Sequence, residues 1–488
     1  MSKTTALVKN TIIIALGKIS TQFLNFLLLP LYTAYLAAAE FGVVDLVTVV
    51  VSLVAPVVML SLEMAVFRFL IDGRGHHKRQ ARVITNALQL MGSSMLLAGV
   101  LFVLVMQWVA VPYGWLALGA VVAAVASNFC LQVARGFGNN TQYAIGSMVA
   151  GAMIVVLNIV FIAVLKMGAT GMLLATVIGN GVSALYLITT LKISQYIDLS
   201  LCDGDTRKEL LHYALPLIPN NISWWVVNAA DRMIIAALLG VTANGIYAVA
   251  YKFPQVFTAV YNFFGLSWAE SASIHIRSKD RDAFFSKVAN MSVRVFGSFG
   301  VVLIVGVSVF FNILVGARYS EARLYIPLLL IGSFFSAIVG VYSAIYIAKK
   351  RTKQVLYTSL VAAGISIGLS VVLIPVIGLY GPAVAMIAAY LGMAIFRHLD
   401  IKKSINITYD RTAVGSVALL YALAIALYYI NSPYATIANV VVSGAGVIAI
   451  NRHTLRALQQ TLFRKMKGLK QKQADKLAQA WEVDRGAE

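Results

Sequence analysis

Two stripes of polar side chains lie inside apolar stretches and are the clearest candidates for chemistry in this sequence. The first stripe is formed by Lys18, Gln22 and Asn25. The second repeats this spacing 203 residues later, and it is formed by Asn221, Trp225 and Asn228 and continued by Arg232. Side chains at positions i, i+4 and i+7 share one face of a helix. The two stripes therefore indicate two helices whose polar faces line a shared cavity.

Six charged side chains lie well inside apolar stretches, where a charge is costly unless it faces a cavity or a partner. They are Lys18, Glu63, Arg68, Asp231, Arg232 and Lys252. Four of the six are cations, so an anionic ligand would balance them. We predict a substrate-binding cavity whose candidate residues are Lys18, Gln22, Asn25, Arg68, Trp225, Asn228, Arg232 and Lys252. The candidates for ion coupling or for pairing are Glu63 and Asp231.

Some of these charges also have a purely structural interpretation. Lys18 lies about 10 Å into its apolar stretch at 1.5 Å per residue, near the limit at which a lysine can still extend its amine to the membrane surface. Glu63 and Arg68 are five residues apart, so they could pair with each other or contact lipid headgroups. The sequence leaves both interpretations open.

A second pairing is possible around Asp231. The stretch that contains Lys252 returns beside it across a short turn, so the two side chains could form an ion pair and leave Arg232 free. A buried ion pair can be purely structural, because removing one partner leaves an uncompensated charge. Trp225 and Tyr251 have flat faces suited to sugars, although packing is the simpler explanation for either residue alone.

The whole chain has the composition of a membrane protein. Of its 488 residues, 60% are hydrophobic and 12% are charged, and the mean hydropathy is +0.83. Apolar runs of roughly 20 residues recur, each long enough to cross a hydrocarbon core of about 30 Å as a helix. We predict an all-α polytopic membrane protein with about 14 transmembrane helices. The predicted spans are 11–36, 43–70, 83–108, 113–134, 142–165, 170–191, 213–239, 243–268, 290–315, 324–348, 354–376, 379–397, 412–431 and 433–450.

The distribution of basic residues predicts the orientation of these spans. Cytoplasmic loops carry an excess of Lys and Arg. Only three of the 39 basic residues, namely Lys166, Arg318 and Arg323, fall in the predicted external loops when both termini are cytoplasmic. The net charge of +20 therefore reflects topology and contact with anionic membrane lipids, and we predict no nucleic-acid partner.

The chain repeats itself with the offset of the two stripes. Leu36 and Gly42 follow the first stripe as Leu239 and Gly245 follow the second. This predicts two six-helix lobes related by a parallel pseudo-two-fold repeat, an arrangement whose substrate site lies between the halves. The predicted domains are an N-terminal six-helix lobe (1–191), a cytoplasmic linker (192–212), a C-terminal six-helix lobe (213–398), two additional transmembrane helices (399–450) and a basic cytoplasmic tail (451–488).

An enzymatic function is disfavoured. Membrane glycosyltransferases and polymerases present acids or bases on sizeable loops, whereas the longest predicted external connection runs only from Gly316 to Arg323. His76 and His77 are adjacent in a basic loop, which is poor spacing for a metal site. We predict no catalytic residues, no metal and no cofactor.

The stretch from Tyr213 to Val288 resembles the polysaccharide-transport branch of the multidrug/oligosaccharidyl-lipid/polysaccharide (MOP) flippase superfamily. The resemblance is carried by Ala214-Leu-Pro-Leu-Ile-Pro-Asn-Asn-Ile-Ser-Trp-Trp225, Asp231-Arg232, Leu239-Gly240 and Gly245-Ile-Tyr-Ala-Val-Ala-Tyr-Lys252. Upstream, it is carried by Phe41-Gly42, Asp45-Leu46, Pro56, Ala65-Val-Phe-Arg68-Phe and Arg135-Gly136. The order and spacing of these segments are more specific than any one of them.

This resemblance implies a flippase of the bacterial cytoplasmic membrane, with both termini cytoplasmic and two lobes that form a V. The implied substrate is an oligosaccharide on an undecaprenyl-pyrophosphate carrier, moved between leaflets by alternating access for export of a cell-surface polysaccharide. Lys18, Arg232 and Lys252 would face the diphosphate. A polysaccharide polymerase and glycosyltransferases are the implied protein partners. The alternatives are a lipid II flippase, a multidrug exporter of the same superfamily, and a membrane glycan polymerase or ligase.

Overall fold

The computed structural model describes residues 26–452, and within this range the regular structure is helical. Short 3-10 segments lie at Ile193–Tyr196, Leu199–Leu201 and Ala317–Leu324, and α6 ends in a π-helical segment at Ile159–Val164. The α-helices are α1 (Leu29–Tyr35), α2 (Ala38–Val58), α3 (Leu62–Asp72), α4 (His77–Trp108), α5 (Gly114–Gly136), α6 (Asn140–Asn158), α7 (Gly168–Thr190), α8 (Gly204–Ala214), α9 (Leu217–Leu239), α10 (Val241–His275), α11 (Arg281–Leu314), α12 (Ile326–Ala348), α13 (Thr352–Ile377), α14 (Tyr380–Lys402), α15 (Arg411–Ile430) and α16 (Pro433–Arg452).

Most of these helices correspond to predicted spans. In the described part of the chain, 11 helices are long and apolar enough to cross a membrane, namely α2, α4 to α7 and α11 to α16. Two more, α9 with 23 residues and α10 with 35, coincide with the predicted seventh and eighth spans. The predicted first span lies mostly outside the described residues. The predicted all-α polytopic fold is confirmed, and its helices are consistent with fourteen spans.

The predicted second span, 43–70, is wrong as a single helix. The helix breaks between α2 and α3, where Leu60 and Ser61 have φ angles of 54° and 53°. The backbone N–H of Ser61 bonds to the carbonyl of Pro56 at 2.8 Å, which closes the end of α2 in the manner of a left-handed helix cap. Apolar residues continue on both sides, so composition alone does not reveal this break.

The described residues form two compact units. The first comprises residues 26–281 and 310–405, and the second comprises residues 282–309 and 406–452. In the first unit, α3, α5, α7 and α8 share a core whose fully buried members include Val66, Leu70, Val133, Leu187 and Leu210. Elsewhere in the same unit, α12 packs against α10 and α14, and α14 packs against α13. In the same unit, α2, α9 and α10 pack against one another.

The second unit is held together by polar contacts between apolar helices. The amide of Asn451 in α16 donates to the hydroxyl of Ser298 in α11 at 2.6 Å. The amide of Asn439 donates to the carbonyl of Ala424 in α15 at 2.9 Å. Such interhelical hydrogen bonds supplement close packing where lipid offers no hydrophobic driving force between helices.

One hydrogen-bonding arrangement occurs in both units, and we call its two copies the first clamp and the second clamp. In the first clamp, Asn86 of α4 donates to the carbonyl of Leu201 at 3.0 Å and accepts from the N–H of Asp203 at 2.9 Å. Asp203 in turn caps the start of α8. The first clamp thus fixes the segment that follows the predicted N-terminal lobe.

The second clamp contains the same elements, with the asparagine 204 residues later and the aspartate 207 residues later. Asn290 of α11 donates to the carbonyl of Thr408 at 2.8 Å and accepts from the N–H of Asp410 at 2.7 Å. Asp410 caps the start of α15 and pairs with Arg294. Each clamp therefore joins an asparagine within one helix to an aspartate that caps the start of a helix four positions later in the chain order.

Candidate functional site

The candidate site lies in the first unit, where α2 meets α9 and α10. The predicted external ends of α2 and α10 touch backbone to backbone at two glycines. A methyl group added to Gly42 would overlap the carbonyl oxygen of Val241 and lie 2.8 Å from the backbone nitrogen of Gly245. A methyl group added to Gly245 would overlap the carbonyl oxygen of Ala38. Only glycine allows the two helices to approach this closely.

A polar network lies immediately beside this glycine contact. Arg232 of α9 forms an ion pair with Asp45 of α2, with Nη1 and Oδ1 3.3 Å apart. Asn244 of α10 donates to the carbonyl of Gly42 at 3.1 Å and to Asp45 at 3.4 Å. The Arg232 guanidinium also lies 4.6 Å from the ring centre of Tyr251. Because only 8% of Arg232 is exposed, its pairing with Asp45 compensates a buried charge.

The polar stripe of α9 faces α2. Asn221 donates to the hydroxyl of Ser61, in the break that follows α2, at 3.1 Å, and the indole N–H of Trp225 donates to the carbonyl of Val49 in α2 at 2.9 Å. Arg232 completes the series through Asp45. The side chain of Asn228 lies outside the described residues. We call the contacts of Asn221, Trp225 and Arg232 the α2–α9 seam. They join α9 to the predicted first lobe along about three turns of α9.

Asp231 has a different partner from the one considered above. Its carboxylate accepts from the hydroxyl of Tyr247 at 2.9 Å, and the ion pair with Lys252 does not form. It also lines a cavity of about 20 Å³ together with Ser366, Ser370 and Tyr390. Such a volume has room for one water molecule. The Ser370 hydroxyl is buried and has no hydrogen-bond partner among the described residues.

Lys252 is the cation that remains unpaired at this site. Its amine lies 5.9 Å from the ring centre of Phe41, at the edge of the polar network. It makes no hydrogen bond or ion pair with any residue from 26 to 452. The sequence suggested that Lys252 could be paired and Arg232 free. The structure shows the reverse, because Arg232 pairs with Asp45 and Lys252 forms no ion pair with a described residue.

The other predicted site residues fall elsewhere. Arg68 pairs with Asp72 at the surface of α3, where the two side chains are 49% and 43% exposed. Arg68 therefore does not pair with Glu63. One buried carboxylate oxygen of Glu63 has no hydrogen-bond partner in the described part of the chain. Lys18, Gln22 and Asn25 lie outside the described residues.

The sequence analysis missed two members of the network. Asp45 lies near the end of a predicted span and is not among the six charged candidates, and Asn244 is not among the candidate site residues either. A signal was available for both. Asp45 follows Gly42 by three residues, which places the two on one face of α2, and Asn244 directly precedes the matching Gly245.

A buried arginine in α14 was also missed. Arg397 is 1% exposed and donates to the hydroxyls of Thr358, Ser359 and Ser343 and to two backbone carbonyls. These groups belong to α12 and α13, so Arg397 ties three helices together. No carboxylate within residues 26–452 pairs with it, and its donors are instead satisfied by neutral groups. Arg397 is a structural residue.

Comparisons with known proteins identify a family and a shared fold. Residues 7–269 match the model of the family described as polysaccharide biosynthesis protein. A lipid II flippase, MurJ, in an inward closed conformation superimposes with a TM-score of 0.67 at 13% identity, covering 92% of this chain and 99% of that one. A multidrug resistance MATE family transporter of the MOP superfamily, in an inward-facing conformation, gives a TM-score of 0.64 at 14% identity, covering 80% and 98%.

At these identities the two structures establish a shared fold, and the family match covers more than half of the chain. A comparison with curated proteins gives no significant match. The resemblance noted in the sequence is confirmed. The chain belongs to the polysaccharide biosynthesis protein family, and it shares its fold with a lipid II flippase and a MATE family transporter.

Proposed function

We propose that this protein is a flippase for an oligosaccharide repeat unit linked to undecaprenyl pyrophosphate. It would carry this unit across the bacterial cytoplasmic membrane by alternating access, for export of a cell-surface polysaccharide. Family membership and the parallel repeat support the proposal. The observation that carries it is Lys252, a lysine within a membrane-spanning helix that has no anionic partner among the described residues and lies beside the α2–α9 seam.

The proposed mechanism assigns different tasks to the two cations. Lys252 is available to bind the diphosphate, because its amine forms no ion pair with a carboxylate in the described part of the chain. Arg232 is held by Asp45, so a diphosphate must displace that carboxylate to bind the guanidinium. Charge-assisted contacts with phosphate oxygens are strong enough to compete with a carboxylate. Displacement would release α2 from α9 and so couple binding to opening of the external side. Lys18 would meet the diphosphate nearer the cytoplasm.

This proposal predicts that the two cations are needed for export. We expect Lys252→Gln and Arg232→Gln to reduce the appearance of the lipid-linked oligosaccharide in the outer leaflet by at least about tenfold, which corresponds to about 1.4 kcal/mol of lost stabilisation. Arg318→Gln removes a charge from the exposed 3-10 segment Ala317–Leu324 and serves as the matched control. Normal outer-leaflet levels in both site variants, at normal protein abundance, would contradict the proposed site.

We further propose that Asp231 binds a proton or a monovalent cation that drives the cycle. The water-sized cavity beside it supplies the hydroxyls of Ser366 and Ser370. Asp231→Asn removes the charge and keeps an acceptor for Tyr247. In proteoliposomes, we expect this variant to lose the dependence of flipping on a sodium or pH gradient. If wild-type flipping responds only to membrane potential, the substrate's own charge drives transport instead.

Two other candidate substrates remain to be tested against this one. Lipid II also carries an undecaprenyl diphosphate, and the fold is shared with a lipid II flippase. A multidrug exporter would take organic cations, which Lys252 would repel. Comparing flipping of lipid II with flipping of a polysaccharide repeat unit in the same proteoliposomes shows which of these two lipid-linked substrates the protein prefers.

A membrane polymerase or ligase would instead change the length of the glycan without changing flipping. The proposed protein partners are the polymerase and glycosyltransferases of the same pathway.

A further inference from the structure

The segment between the predicted lobes is fixed to α4 and does not form a loose tether. The first clamp holds it through Asn86, and the hydroxyl of Thr85 adds a bond to the carbonyl of Tyr196 at 3.1 Å and one from the N–H of Asp198 at 3.0 Å. The ring of Tyr196 stacks on His77 with centres 4.4 Å apart. Side chains on this segment therefore have a defined position.

Two apolar side chains of this fixed segment point away from the protein. Leu199 is 77% exposed and Ile197 is 49% exposed. The second clamp shows that the architecture does not require this exposure. Counted from the capping aspartates, Ile197 and Leu199 correspond to Ser404 and Asn406. The isoleucines of the second segment, Ile405 and Ile407, are each 1% exposed and correspond to Asp198 and Ser200. The same positions thus carry polar side chains in the second clamp and exposed apolar side chains in the first.

The position of the segment along α4 places these side chains at a membrane boundary. Arg82 is the last charged residue of α4, and the 26 residues from Val83 to Trp108 carry no charge. Thr85 and Asn86, which hold the segment, come within one turn of Arg82. The segment therefore lies where the hydrocarbon core begins, on the side predicted to be cytoplasmic.

Two basic side chains are exposed at the start of α4, the helix that holds this segment. They are Lys78 and Arg79. The pKa of the Asp198 carboxyl is lowered, mainly by hydrogen bonds from Ser200 and to a smaller extent by the positive charge of Lys78. Lys78 therefore lies near the segment. Exposed apolar side chains flanked by lysine and arginine are typical of segments that lie in the interface of an anionic leaflet.

We infer that residues 196–203 form a membrane-surface contact for anionic phospholipids of the cytoplasmic leaflet. Ile197 and Leu199 insert among the acyl chains, and Lys78 and Arg79 bind the phosphate headgroups. This contact anchors the connection between the two predicted lobes to the leaflet from which the proposed substrate enters. It is independent of the substrate, so it holds whether or not the protein flips an undecaprenyl-linked glycan.

Fluorescence quenching by brominated lipids tests the contact. A bimane label on Leu199→Cys, in a Cys202→Ser background, reports on the segment, while buried Cys130 stays unlabelled. The matched control is Asn406→Cys, an exposed position two residues before the carbonyl that the second clamp holds. In proteoliposomes, we expect brominated phosphatidylglycerol to quench the label at residue 199 more strongly than brominated phosphatidylcholine does, and more strongly than at residue 406.

The double variant Lys78→Gln/Arg79→Gln should abolish the preference for phosphatidylglycerol, because each of the two charges contributes up to about fivefold to it. Equal quenching at residues 199 and 406, or a preference that survives loss of both cations, overturns the inference. Quenching at residue 199 by iodide in water but not by brominated lipid overturns it too, because the segment would then face a soluble partner. Size-exclusion profiles that match the wild type establish that the variants are folded.

Discussion

The two buried arginines of the first unit solve the same problem in opposite ways. Arg232 is compensated by Asp45, a single carboxylate on a neighbouring helix. Arg397 is compensated by hydroxyls and carbonyls of two helices at once. A single ionic partner can be exchanged for a substrate anion, whereas a set of neutral partners on two helices cannot be exchanged without taking the helices apart. The first arrangement suits a moving contact and the second a fixed one.

Arg397→Met is therefore expected to destabilise the protein without a specific effect on the site. The variant removes the hydrogen bonds that the guanidinium donates to two helices and leaves a gap among three helices, so we expect a loss of about 2–4 kcal/mol in unfolding free energy. Arg397→Lys keeps the charge but cannot reproduce the five N–H donors of the planar guanidinium, so its loss of unfolding free energy should be intermediate. Thermal unfolding in detergent measures both. An unchanged midpoint for the methionine variant would show that Arg397 does not hold the helices together.

Exchanging the charges of the seam pair tests whether Asp45 and Arg232 act on each other. Asp45→Arg and Arg232→Asp each place two like charges at 3–4 Å in a buried site, so each should reduce flipping strongly alone. The double variant restores an ion pair and should recover part of the activity. A double variant no better than the worse single variant would mean that the pairing is incidental.

At the scale of helices, the contact between α2 and α10 depends on the absence of two side chains. Gly42→Ala and Gly245→Ala each introduce a methyl group where a backbone carbonyl of the other helix lies. We expect each to hold the external ends apart and so reduce flipping. Accessibility of a cysteine at Val241 to a membrane-impermeant maleimide should rise in both. Gly364→Ala is the control, because a methyl group there meets no atom within 4 Å.

The second clamp gives α15 a dependence on pH. Hydrogen bonds from Thr412 and Ala413 and the pairing with Arg294 lower the pKa of Asp410 from 3.8 to about 2. A carboxyl whose pKa is lower in the folded state stabilises the fold above pH 3.8, and this contribution is lost as the pH falls toward 2. Asp410→Asn should flatten the acid limb of a stability profile that is measured by intrinsic fluorescence. An identical acid limb in this variant would contradict the assignment.

The sequence predicted single helix faces better than it predicted their partners. The α9 stripe has the spacing of one face, and its described side chains do lie on one face. Its partner, α2, could not be read from the sequence, because spacing along one helix says nothing about which helix packs against it. The break at Leu60 and Ser61 could not be predicted, because apolar residues continue on both sides of it. The clamps could not be predicted either, because a single asparagine within a helix does not indicate which distant segment it bonds.

At the scale of the molecule, the proposed cycle requires the α2–α9 seam to open. A disulfide between Ser61→Cys and Asn221→Cys, whose side chains are 3.1 Å apart in the native protein, should lock the seam. We expect oxidation to stop flipping and a reductant to restore it. The control pair is Ser127→Cys and Ser183→Cys, 3.4 Å apart between α5 and α7 of one predicted lobe, which should not interfere. Full activity with the seam locked would exclude this movement.

The glycine contact has the geometry of a subunit interface. Gly42 meets Val241 and Gly245 meets Ala38, and each residue lies 203 positions from its counterpart in the other pair. In a two-fold dimer, the same patch contacts itself in this reciprocal way. One substitution in such a dimer alters both sides at once. In this single chain, a substitution changes only one of the two repeats. The repeats can therefore diverge, as the corresponding residues Lys18 and Asn221 have, except where the two repeats contact each other.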